Sequence, residues 1–182
     1  MKDKRVIYIT QTAVMLALLI GTQYFTRSFG QFVTGSLVNF ILLASTFLIG
    51  IRGGLAVAVL SPFLAFLAGI GPAFIQITPL MAAGNTVLVI IAQLVRKNMA
   101  GKSIKDVVSA AAGLIAAGAA KTGFLWLGIT VIVLPLIPGL NERQIAVISA
   151  AFSWPQLVTA LIGGALAMLI VPVLKKAITK SE

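Results

Sequence analysis

Residues 31–69 read QFVTGSLVNFILLASTFLIGIRGGLAVAVLSPFLAFLAG, with Arg52 as the one charged residue in the stretch. The apolar runs on either side of Arg52 are continuous and rich in Leu, Ala and Gly. They do not alternate with the period of two that a membrane barrel strand would show. Each is close to the roughly 20 residues a helix needs to cross a bilayer. They are predicted as two membrane helices, Gln31 to Ile51 and a second ending near Ala68, joined by a tight turn at Arg52-Gly53-Gly54.

The rest of the chain repeats the pattern. Of 182 residues, 59% are hydrophobic and 10% charged, with mean hydropathy +1.08. Soluble domains run at about 45–50% apolar and about 25% charged, so lipid is the solvent that this excess requires. A first span is expected from Val6 to Phe25, too long an apolar run for a signal peptide. After Gly69-Ile70-Gly71-Pro72 a fourth follows from Ala73 to Val95. Arg96 to Asp106 is the most polar segment and reads as a loop. A fifth span starts near Val107 and ends before Pro135 or Pro138. Pro138-Gly139-Leu140-Asn141 is a turn, and the sixth span runs from Gln144 to Leu174. The expected fold is therefore an all-α bundle of six transmembrane helices filling residues 1–182 as one domain. Pro62, Pro79 and Pro155 fall inside these spans and are expected to kink them.

The formal charge is +10. In a soluble protein that would suggest nucleic acid, but here the cations sit at span ends. Lys2, Lys4, Arg5, Arg52, Arg96, Lys97, Lys102, Lys105, Lys175, Lys176 and Lys180 fall on one side, against Arg27 and Arg143 on the other. By the positive-inside rule both termini are cytoplasmic, and no nucleic-acid partner is expected.

Several chemistries are excluded. The chain has no Cys and no His, which removes thiol chemistry and most zinc or copper sites. Its acids are Asp3, Asp106, Glu142 and Glu182, all outside or at the ends of spans, so no buried relay for proton coupling is present. Gly101-Lys102-Ser103 looks like the end of a phosphate-binding loop, but that loop needs a glycine where this chain has Arg96. An enzyme is not expected, nor a cofactor, and energy for transport would come from a partner.

Three constellations remain. Ala13, Ala17 and Gly21 are spaced by four on the first span, so they form a small-residue stripe on one face. Such a stripe lets another helix approach closely, either one of this chain or one of another membrane subunit. Lys121 lies in the outer half of the fifth span with no intramembrane acid to neutralise it. It either snorkels to the interface or faces a polar cavity as an anion-binding group. Uncharged polar residues share faces on three other spans: Gln31, Gly35 and Asn39; Thr78 and Asn85; Ser149, Ser153 and Gln156. They are interhelical glue or, together with Lys121, the lining of a solute pocket; Trp154, in the outer half of its span, either stacks on a ligand ring or sits in the aromatic belt.

Ala13-Val14-Met15-Leu16-Ala17, the segment Thr34-Gly35-Ser36-Leu37-Val38-Asn39, Ser61-Pro62 and Ala83-Gly84-Asn85, together with the size and topology, resemble the S components of energy-coupling factor (ECF) transporters. These belong to the bacterial ABC importers for vitamins and related micronutrients. The resemblance implies a high-affinity binding subunit in the plasma membrane with its pocket near the outer face. It implies docking through Ala13 and Ala17 on a transmembrane coupling protein that carries two ABC ATPases. The substrate does not carry over; Lys121 favours a solute with a carboxylate or phosphate. The rival readings are a stand-alone facilitator or channel and a structural membrane protein without ligand.

Overall fold

The structure, a computed structural model, describes residues 3–98 and 103–180. Lys2, Gly101, Lys102 and Glu182 lie outside the described residues, as does the side chain of Lys180.

The described residues form seven α-helices: α1 Lys4–Thr26, α2 Gln31–Leu48, α3 Ile51–Leu67, α4 Thr78–Leu94, α5 Ile104–Leu125, α6 Glu142–Ala151 and α7 Trp154–Lys180. A 3₁₀ turn, Arg27–Phe29, joins α1 to α2, and another, Ile75–Ile77, precedes α4. Beyond α5 the helix widens to a π-helical stretch, Trp126–Val133, and closes with a 3₁₀ turn, Leu134–Leu136. No strand occurs among the described residues. Six apolar helical segments result. Five are long and apolar enough to cross a membrane, and α3 is the shorter sixth.

Helices α2, α3, α4, α5 and α7 form a ring, each packed on the next and closed by the extensive α2–α7 pairing; α1 lies outside it, across α2 and α3. Leu42, Leu43, Phe47, Val57, Leu88 and Val171 are fully buried and fill the ring toward the end that carries Arg96. The outer faces carry Val6, Val14, Leu67, Leu94, Ile104 and Leu169, all exposed. Apolar groups facing both ways are what a helix bundle in lipid presents.

Small residues set the closest approaches. A Cβ on Gly163 of α7 would lie 2.7 Å from the Asn39 Cβ and 2.8 Å from the Ser36 carbonyl oxygen of α2, and one on Gly118 of α5 would lie 3.0 Å from the Ala160 Cβ of α7. The backbones of α2, α5 and α7 therefore meet at the level of Asn39.

The punctuation differs from the sequence reading in four places. The α2–α3 turn is at Ile49-Gly50, where Gly50 has φ 106°. Arg52, Gly53 and Gly54 belong to the first turn of α3, and the two glycines are there because a Cβ would strike Ile49 or Thr46. The fourth helix begins at Thr78 and not at Ala73, with Pro79 in its first turn, where the missing N–H costs no hydrogen bond. The fifth begins a turn earlier than Val107, because Ser103 and Asp106 form a capping box. The predicted sixth helix breaks at Phe152-Ser153, and Pro155 occupies the first turn of α7. Thus Pro79 and Pro155 start helices; Pro62 and Pro172 are the prolines inside them.

Candidate solute-binding cavity

At the end of the ring opposite Arg96 the apolar core gives way to a cavity of about 280 Å³. Pockets for small ligands typically run from about 300 Å³ upward, so this one suits a small metabolite. Its apolar walls are Leu19, Val38, Pro62, Ile70, Met81, Leu125 and Phe152.

Its floor is built around Lys121. The side chain is 3% exposed, and the Nζ ammonium donates to Asn39 Oδ1 at 2.6 Å. Asn39 Nδ2 donates to Thr159 Oγ1 at 3.2 Å, and that hydroxyl donates to the Gln156 carbonyl at 3.0 Å. This chain links α5, α2 and α7, the three helices that small residues bring together. An ammonium has three donors and no acceptor. One goes to a neutral amide oxygen, so the positive charge is not compensated. No carboxylate lines the cavity among the described residues. Two further polar groups face the same space: the Ser61 hydroxyl on α3, buried with no hydrogen-bond partner among the described residues, and Asn85 on α4, 5% exposed. A buried polar group without a partner costs about 1–3 kcal/mol, a cost that a bound polar solute would remove.

The mouth lies where α1 turns into α2 and α6 breaks into α7. Pro155 has no N–H to offer the Ala151 carbonyl four residues back. That carbonyl accepts instead from Gln31 Nε2 at 2.9 Å and from Gln156 Nε2 at 3.0 Å. The helix break thus anchors two amides at the rim. Gln23 Nε2 donates to the Ile70 carbonyl at 3.4 Å, and Arg27 completes the rim with its guanidinium 4.8 Å from the centre of the Tyr24 ring.

Of the residues singled out from sequence, Lys121, Asn39, Gln31, Asn85 and Gln156 all line this one cavity. Trp154 does not: its indole is 64% exposed and leans on Phe32 with ring centres 5.7 Å apart. Thr78 is buried without a hydrogen-bond partner among the described residues and lies outside the lining. Ser149 and Gln156 sit on different helices and share no face. Arg27, Gln23, Ser61 and Phe152 line the cavity without having been singled out as site residues. Their signal was weak. Leu19, Gln23 and Arg27 recur every four residues along one helical face, and a glutamine within an apolar span should have marked that face.

The stripe on α1 is placed just as definitely. Ala13 and Ala17 are exposed, and a Cβ on Gly21 would have nothing within 4 Å. Among the described residues no helix packs on it. Ser103, read beside a phosphate-loop look-alike, is the N-cap of α5. No family model, curated protein or solved structure matches the chain.

Proposed function

We propose that this chain is the solute-capturing S component of an ECF-type importer in a bacterial plasma membrane, with both termini cytoplasmic and the Arg27 end of the bundle outside. The observation that carries the reading is a cavity that no acid lines among the described residues and whose floor is a buried Lys121 paired only with a neutral oxygen. Such a floor favours a micronutrient bearing a carboxylate or phosphate, because a bound anion would pair with the ammonium at that depth.

Two further observations support it. The small-residue face of α1 is bare, as a helix kept for another membrane subunit would be. Among the described residues the cavity opens at one end of the ring and apolar core fills the other, an arrangement that suits capture at one end and release through a partner. That partner is a transmembrane coupling protein with two ABC ATPases; the chain itself binds and does not catalyse.

Uptake into proteoliposomes tests this. The chain alone should bind solute without accumulating it; with the coupling protein and ATPases, uptake should appear and depend on ATP. An Ala13→Leu/Ala17→Leu variant should keep binding and lose both the complex and the uptake. Uptake by the chain alone would favour the facilitator, and absence of both ligand and complex a structural role.

A further inference from the structure

Arg27 has a use that one anionic group at Lys121 leaves open. It lines the cavity from the opposite end, and its guanidinium makes no ion pair among the described residues; it rests on Tyr24. The turn that carries it is pinned. Thr34 Oγ1 donates to the Thr26 carbonyl at 2.7 Å, and Gly30, at φ 83°, folds the chain back into α2. The cavity is therefore cationic at both ends and holds no acid among the described residues, since Asp3, Asp106 and Glu142 all lie outside its lining. Gln31 opens α2 beside Arg27, and Asn39, which holds the Lys121 ammonium, lies about 12 Å further along that helix at about 1.5 Å per residue. The walls between are mainly apolar: Leu19, Val38, Pro62 and Met81.

We infer that the solute is a two-headed anion, an elongated molecule with one acidic group on the Lys121 floor and a second at the Arg27 rim, joined by a largely apolar stretch. This rests on the anion-binding reading above and narrows it. A single acidic group on Lys121 leaves Arg27, exposed at the rim, without an anionic partner among the described residues. Two groups match both. The heads also differ in kind, since a guanidinium takes a planar carboxylate or a phosphate through two parallel hydrogen bonds, whereas an ammonium binds as a point charge.

The test uses the full-length protein in mild detergent and straight-chain α,ω-dicarboxylates from succinate to sebacate, each alongside its monomethyl ester, titrated by calorimetry. Affinity should peak at one chain length. At that length, esterifying one end should weaken binding at least about tenfold, or 1.4 kcal/mol. Arg27→Gln should bring the diacid down to the affinity of its ester while leaving the ester's own affinity unchanged, and Lys121→Gln should weaken both. If diacid and ester bind alike and Arg27→Gln changes neither, the two-headed inference is overturned, while a Lys121→Gln loss would leave the single-anion site standing. Failure of every diacid to bind at millimolar concentration also overturns it. In that case the charge of the solute extracted from the protein decides separately whether the cavity binds anions at all.

Discussion

Lys121 is buried and held by one hydrogen bond to a neutral oxygen, with no acid of this chain beside it among the described residues. A lone lysine at the centre of a membrane helix costs about 2.5–3.5 kcal/mol, and a hydrogen bond to a charged group returns about 1.5–3 kcal/mol. The pair therefore contributes little net stability to the solute-free protein. Lys121→Met, similar in length and uncharged, should leave the thermal midpoint in detergent unchanged or raise it, while weakening anion binding at least about tenfold. A midpoint lowered by several degrees would identify Lys121 as structural glue. Its burial within the span was half legible in sequence. Spacing showed a lysine that no intramembrane acid could neutralise, but not whether it snorkelled. That depended on Asn39, far away in the chain, lying opposite it, and periodicity on one helix does not say which helix comes next to it. Arg27 went unread as a site residue for a related reason. A cation just past a span end is so well explained by topology that its side chain's direction carries no signal until the turn at Gly30 is seen.

Among elements, the α2–α7 crossing matters most to the cavity, because it sets Asn39 against Thr159. Adjacent glycines on α7 separate its roles. A Cβ on Gly163 would strike Asn39, Phe40 and Ser36, whereas one on Gly164 would meet Leu114 at an ordinary 3.5 Å. Gly163→Ala should therefore cost about 1–3 kcal/mol from overpacking and weaken solute binding through the displaced Asn39. Gly164→Ala should change neither. Thermal unfolding and a binding isotherm on the two variants check this, and equal effects would contradict it. Helix existence was legible wherever apolar runs were long; helix ends were not. Gly53 and Gly54 suggested a turn, yet they are needed for close packing against the end of α2. Pro155 suggested a kink, yet it opens a helix. Its consequence for the rim, a carbonyl freed for Gln31, joins residues too far apart in sequence for local rules to connect.

At the scale of the whole molecule, composition pointed to lipid, and the continuous apolar runs, without period-two alternation, to an all-helical bundle of six segments. Which helices form the ring, and that α1 stays outside it with Ala13 and Ala17 exposed, needed the packing. Sequence spacing allowed that stripe to face either way. The ring, its plugged Arg96 end and the bare α1 face together fit a receptor that captures at one end and hands over through a partner. The capture step rests on one claim, that an anionic solute sits on Lys121. The most direct measurement is mass spectrometry of the small molecule that stays with the protein through purification in mild detergent, made on the wild type and on Lys121→Met in parallel. The expected result is a near-stoichiometric acid on the wild type that is absent from the variant. A neutral or cationic solute, or equal occupancy in both proteins, would contradict it.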